Sequence, residues 1–396
     1  MINNPKSLDR ILTTHVGSLI RPPALVDLLR LKAEGKAVDS AEFAACYHDS
    51  VAEVVRRQAE IGVDIVSDGE FGKSISWSRY ILERLSGFER RASDQNSVMP
   101  ASVHGRDRRE FAEFYAEYDK SQGVVGMSGW VVTGPIAYTG IDSLKHDIAE
   151  FRAALDGVRV AGAFMPAVSP ASVAPERKHE YYNNSDDSLA AIADALRVEY
   201  QAILDAGLIL QIDDSYFASM YDVLSDLAEY RRWAAGQVEV INHALRDLPE
   251  DRVRFHVCWG SWNGPHVHDV EFRDIADLML RIRAGAYSIE MANPRHEHEW
   301  RVWETIKLPG GKLLLPGVIS HATNVVEHPD LVAERIVRLA NLVGRENVIA
   351  SSDCGFAQGP FMRRVHPSIQ WAKLRSLVQG AEIASRQLWK SRLSAA

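Results

Sequence analysis

Eight short apolar runs, most of them rich in Val, Ile or Leu and ending in Gly, Pro or polar residues, recur along the chain. They lie at 63–68 (VDIVSD), 130–136 (WVVTGPI), 161–167 (AGAFMPA), 207–212 (GLILQI), 252–257 (RVRFHV), 286–291 (AYSIEM), 313–319 (LLLPGVI) and 347–352 (NVIASS). Runs of this length and punctuation predict buried strands. Between them, 187–205, 271–284 and 330–343 repeat apolar residues at three and four, the spacing of amphipathic helices. Parallel neighbours in one sheet require crossover helices, so eightfold alternation predicts an α/β fold, a closed (β/α)8 TIM barrel. An open doubly wound sheet is the competing arrangement. We expect a single barrel domain over 1–396, with the N-terminal segment 1–60 packing across the barrel. Two segments exceed normal connections, 88–128 and 168–187. Insertions on the loop face serve as lids or specificity elements, or are solvated excursions.

Composition narrows the partners. The 396 residues are 46% hydrophobic and 25% charged, with a formal charge of -8. That balance provides no overall basic field for nucleic acid or an anionic membrane, which points to small-molecule partners. No apolar run reaches the roughly 20 residues that cross a bilayer, and the start MINNPKSLDR lacks a signal-peptide core. The expected location is cytoplasmic. Three cysteines are too few for a disulfide framework, and Cys46 falls in a helical pattern as a structural residue.

The other two cysteines change the picture. His256 and Cys258 in RFHVCWG, Glu290 in YSIEMAN and Cys354 in IASSDCGF stand at the ends of predicted strands. Imidazole, thiolate and carboxylate are zinc donors, and a set spread over three segments suits a metal at the mouth of a preformed scaffold. In a barrel the C-terminal strand ends form the active face. Asp68, Glu70, Asp213 and Asp214 fall there too, as ligand contacts or as helix caps. His266 and His268 in NGPHVHD, and His296 and His298 in PRHEHEW, have ligand-like spacing but are expected to line the rim or cap helices. Trp259, Trp262 and Asn263 form either an aromatic wall for a substrate or packed core.

The ordered strings TTHVGSLIRP (13–22), VSDGE (66–70), LILQIDD (208–214), FHVCWG (255–260), SIEMAN (288–293), LLPGVIS (314–320) and SSDCGF (351–356) resemble the catalytic domain of cobalamin-independent methionine synthases. The resemblance spans nearly the whole chain and is to the short, single-barrel members. It implies zinc as the cofactor, on His256, Cys258, Glu290 and Cys354, with Glu290 able to yield to substrate sulfur. It also implies that Ser18, Glu70 and Asp213 hold the amino-acid part of homocysteine. Two departures concern the methyl donor. The family's proton-donating histidine after the seventh strand aligns with Ala322, so His321, one position earlier, is the candidate acid. The segment whose tryptophan stacks on folate is replaced by SPASVAPE at 169–176.

Two thiolates and a carboxylate around a dication make an electron-rich site, suited to keeping a substrate thiolate nucleophilic rather than to activating water. The expected function is therefore a zinc-dependent thiol S-methyltransferase taking a small-molecule thiol and an alkyl donor. The alternatives are thiol addition to an epoxide, as in the related epoxyalkane:coenzyme M transferases, or its reverse. Beyond these stand a metal-free decarboxylase on a related barrel and a non-catalytic metal-binding protein.

Overall fold

The computed structural model describes residues 4–6, 9–74, 76–91, 105–121, 129–173 and 180–390. Among the described residues the strands, in chain order, are β1 (Leu12–Thr13), β2 (Ile65–Val66), β3 (Phe88–Arg91), β4 (Gly129–Val132), β5 (Gly162–Val168), β6 (Ile209–Asp214), β7 (Val253–Val257), β8 (Ala286–Ile289), β9 (Leu313–Ile319), β10 (Ile349–Ser352), β11 (Ala357–Gly359) and β12 (Met362–Arg363). Eight of them form one sheet in the order β1-β10-β9-β8-β7-β6-β5-β2. Every pairing within it is parallel. The two ends of that order meet. Asp64 N donates to the Thr13 carbonyl at 3.1 Å, and Thr14 Oγ1 donates to the Ile65 carbonyl at 2.9 Å. The sheet is thus a nearly closed (β/α)8 barrel, as the alternation predicts.

One of the eight strand assignments is wrong. The run at 130–136 supplies β4, which pairs antiparallel with β3 in a hairpin outside the barrel. The missing barrel strand is β1, within the segment expected to pack across the barrel. Two residues are too few to show a hydrophobic period, and β1 exists only because β10 and the start of β2 flank it.

The alternation of side chains along a strand sorts residues into layers inside the barrel. Ile209, Ala286, Leu313, Leu315 and Ile349 join Leu12, Ile65 and Phe164 in an apolar plug. Two residues further along β6 and β10, and beside the plug on β7, the interior turns polar. Buried Arg254 donates to Gln211 Oε1 at 2.7 Å, Thr14 Oγ1 at 3.1 Å and the His15 carbonyl at 2.8 Å, neutral acceptors for three of its N–H bonds. Its guanidinium stands 3.4 Å from the centroid of the Phe164 ring. Two residues on again, the same parity brings Asp213, His256 with Cys258, Glu290 and Asp353 to the mouth. The larger apolar core fills the space between the barrel and its helices.

Of the insertion 88–128, residues 92–104 and 122–128 lie outside the described residues, as do 174–179 of the insertion 168–187. The described part of the first insertion covers the segment following Cys258. Helices Arg106–Glu110 and Ala112–Ser121 place Asp107 Oδ1 to accept from the Val267 and His268 amides, each at 3.1 Å. Trp262 Nε1 donates to Tyr115 Oη at 3.0 Å. Among the described residues no helix is long and apolar enough to cross a membrane.

Candidate metal centre

His256 leads the site because of what its ring lacks. It is buried at the end of β7, with Nδ1 3.2 Å from Ser288 Oγ, while Nε2 is buried and has no hydrogen-bond partner. An orphaned buried nitrogen is costly unless something absent from the protein's own atoms meets it. Cys258 and Cys354 lie beside the same ring. Their Sγ atoms are 3.5 Å apart, and the donor atoms of His256, Cys258 and Cys354 all lie within 4.8 Å of one another. The Gly260 amide donates to Cys258 Sγ at 3.2 Å, a contact that favours thiolate. These three residues fit a zinc ion as nitrogen and sulfur donors.

Glu290 is beside this trio, not within it. Its carboxylate accepts from the Trp259 amide at 3.1 Å and from Asn293 Nδ2 at 2.9 Å. It groups instead with His321 and Asp353, whose donor atoms lie within 4.8 Å of each other and of Glu290. Burial, then the Asp353 and Cys354 charges, hold the Glu290 carboxyl well above its usual range. The hydrogen bond to Cys354 and burial do the same to the Cys258 thiol. Both shifts express one fact, that the pocket gathers acidic groups without a cation of matching charge among the protein's own donors; a bound dication reverses this.

Asp353 escaped notice in the sequence although it precedes Cys354. It accepts from the Met291 and Ala292 amides at 2.8 Å and so ties the β8 end to the β10 end. Gly317 on β9 makes room for it, because a Cβ there would stand 2.6 Å from Asp353 Cα.

The three expected substrate contacts ring the same mouth. Ser18 is buried against Gly355, where a Cβ would strike its hydroxyl. Glu70 is buried in a left-handed conformation, φ 62°, beside Gly17. Asp213 pairs in register with His256, and burial pushes its carboxyl up to about 7. Asp214, by contrast, is a helix-start residue: its Oδ1 accepts from the Tyr216 and Phe217 amides at 2.9 Å. One unforeseen neighbour alters the charge at Glu70. Lys73 Nζ is 2.9 Å from Glu70 Oε2, with both side chains buried. The spacing of three residues could have signalled it, but nothing local shows that the turn folds the two together.

His321 is buried with neither ring nitrogen partnered. Burial, then the positive charge of Arg364, pulls it down to about 3, so the ring is neutral at physiological pH. It can therefore donate one N–H but holds no surplus proton. Trp259 is packed core, its Nε1 bonded to the Val270 carbonyl at 2.8 Å. Trp262 is held by Tyr115 and stacks on His266 at 4.6 Å between ring centroids.

The comparisons agree with this architecture. The family model described as "Cobalamin-independent synthase, Catalytic domain" matches residues 178–381, just over half of the chain. A methionine synthase from Saccharolobus solfataricus is 23% identical over 380 residues, 95% of each chain. The uncharacterised protein YxjH of Bacillus subtilis is 24% identical over 376 residues, 92% of each. A B12-independent methionine synthase from Shewanella sp. W3-18-1, solved in complex with selenomethionine, superposes with TM-score 0.70 at 19% identity, over 96% of this chain and 99% of that one. With the family's model spanning the second half of a barrel whose strand ends carry His256, Cys258 and Cys354, the chain belongs to the cobalamin-independent methionine synthase family.

Proposed function

We propose that this protein is a zinc-dependent thiol S-methyltransferase, methionine synthase-like, acting as one catalytic barrel domain. The observation that carries the reading is the His256, Cys258 and Cys354 cluster with its orphaned imidazole nitrogen at the barrel mouth. These three residues would hold the metal, with Glu290 as a fourth donor once its side chain turns from Asn293. A bound zinc ion supplies the Lewis acidity that lets a substrate thiol lose its proton near neutral pH.

The chain's own residues do the rest. Ser18, Glu70 and Asp213 orient the thiol-bearing molecule at the rim. The thiol gives up its proton, its sulfur forms a bond to the methyl carbon, and the bond between that carbon and the donor breaks with its electron pair on the donor. His321 offers a neutral N–H toward the departing group. The insertion's helices, bonded to the loop after Cys258, keep water from the sulfur. Homocysteine is the thiol suggested by the methionine synthase relatives.

A second reading, thiol addition to an epoxide, gains from one observation. Glu70 already faces the Lys73 ammonium, which weakens its claim on a substrate amino group. The deciding experiment offers purified, zinc-analysed protein homocysteine with methylfolate, methylcobalamin or simple methyl donors, and separately a thiol with a short epoxide. Methionine formation, lost together with zinc in Cys354→Ser, supports the first reading. Turnover of the epoxide alone overturns it in favour of the second. Protein free of zinc, or Cys354→Ser with wild-type zinc and activity, defeats both.

A further inference from the structure

The histidines of NGPHVHD and PRHEHEW are engaged away from the metal ligands. All four ring nitrogens of His266 and His296 are taken up by the Trp262 carbonyl, Asp269 and Glu299. His268 bonds Glu110 at 2.6 Å, and His298 stands at the surface, 3.7 Å from Glu271. His321 differs from all of these. It is 2% exposed, and neither ring nitrogen has a hydrogen-bond partner among the described residues.

What His321 faces is a pair of acids. A nitrogen of its ring and one oxygen each of Glu290 and Asp353 lie within 4.8 Å of one another, and all three residues are buried. The carboxylates are held in this arrangement by a set of neutral donors. Asn293 Nδ2 donates to Glu290 Oε2 at 2.9 Å and to Asp353 Oδ2 at 3.3 Å. The amide is fixed in that orientation because its oxygen accepts from the Arg295 and His296 amides, each at 3.0 Å. The Trp259 amide donates to Glu290 Oε1 at 3.1 Å, and the Met291 and Ala292 amides donate to Asp353 Oδ1 at 2.8 Å. Donors that orient carboxylates in this way are the support that metal-ligating carboxylates have.

Neutral N–H groups aim the two acids but bring no charge to offset theirs, and buried charge without an offset is strongly unfavourable. Buried Lys373 does not supply it. Its ammonium bonds Glu327 Oε2 at 2.8 Å, while Glu327 Oε1 accepts from the Ser320 amide at 2.8 Å. As anions, Cys258, Cys354, Glu290 and Asp353 carry four negative charges in two adjoining donor groups, of which one zinc ion offsets two. We propose that Glu290, His321 and Asp353 form a second divalent-cation site beside the zinc site, with Glu290 shared between the two ions. The inference takes its neighbouring ion from the zinc reading above, but its own ligands stand apart from the thiolates. Two carboxylates and an imidazole without sulfur suit a harder ion such as Mn2+, whereas the cysteines keep zinc. Paired catalytic metals stand about 3.5–4 Å apart and clamp the groups that react between them. With one His321 nitrogen on the ion, the other still presents its N–H, and the ion offsets the negative charge left on the methyl donor as its bond to carbon breaks.

The test titrates Mn2+ into full-length protein carrying one equivalent of zinc, with free and bound Mn2+ distinguished by electron paramagnetic resonance. Wild type should take up a single Mn2+ per chain, and Co2+ in place of zinc should broaden the bound signal. Asp353→Asn, which keeps an oxygen for the Met291 and Ala292 amides, and His321→Leu should each weaken Mn2+ binding at least about tenfold. Both should keep wild-type zinc content, which also shows that they fold. Cys354→Ser should do the reverse, losing zinc and keeping Mn2+. No uptake of Mn2+ by zinc-loaded wild type, or uptake unaltered in both buried variants, overturns the inference. So does loss of Mn2+ in His298→Gln alone, which would put the ion on the surface group Glu271, His298 and Glu299. Wild-type protein without zinc defeats the functional reading, whereas Mn2+ binding that still falls in Asp353→Asn and His321→Leu upholds this site.

Discussion

Metal loading should expel protons, and their number can be worked from the pocket. Before loading, burial and acidic neighbours favour the protonated Glu290 carboxyl, and the hydrogen bond to Cys354 together with burial does the same for the Cys258 thiol. As zinc donors Glu290 and both cysteines must be anions, and a thiol gives its proton up when the metal binds. With Cys354 included, binding at pH 7 should displace about three protons per metal, so that affinity rises about a thousandfold per pH unit. At 1.36 kcal/mol per unit for each proton, this is about 4.1 kcal/mol of binding free energy per pH unit. Calorimetry in buffers of different protonation enthalpy counts the protons, and chelator competition between pH 6 and 8 gives the slope independently. A value near two would mean that Glu290 stays with His321 and Asp353 and does not ligate the ion. Affinity that is flat with pH would refute the reasoning, because it would require thiolate and carboxylate to exist together in the unloaded pocket.

Three further outcomes follow from the same geometry. Cys258→Ser should reduce zinc content to well below one per chain and lower the proton count by about one, measured by elemental analysis and the same calorimetry. Burial raises Asp213 above its unfolded value to about 7, so its contribution to stability is fully present below about pH 4 and is lost as pH rises toward 7. Asp213→Asn should flatten that segment of the stability profile of zinc-free protein in urea titrations; an unchanged slope would exclude Asp213 as its source. Gly317→Ala would press a methyl group against the Asp353 carboxylate and to 2.6 Å from its Cα and 2.8 Å from its N, backbone atoms that a side-chain rotation cannot clear. It should cost about 1–3 kcal/mol and displace Cys354, seen as weaker zinc binding in protein that still folds.

Much of the site was legible because a strand alternates. HVC places His256 and Cys258 two apart, hence on one side of β7, and QID and SIE send Asp213 and Glu290 to the same mouth from β6 and β8. No distant information is needed for that. The strand at 130–136 failed because apolar alternation is the same in a barrel strand and in the β3–β4 hairpin, and β1 failed because two residues carry no period. The resemblance already set Glu290 apart as a donor able to yield: parity brings it to the mouth, but Asn293, His321 and Asp353 decide which way its carboxyl turns.

The sequence by itself determined which residues alternate inward, where the strands end, and that a zinc-type donor set sits among those ends. Only the tertiary structure decided which of these groups meet. Folding brings β1 beside β10 and two histidines thirty residues apart onto one carboxylate oxygen of Asp269. The physical reason is range. Side-chain parity is set by local backbone geometry, whereas charge pairing and burial depend on segments that become neighbours only when the sheet closes.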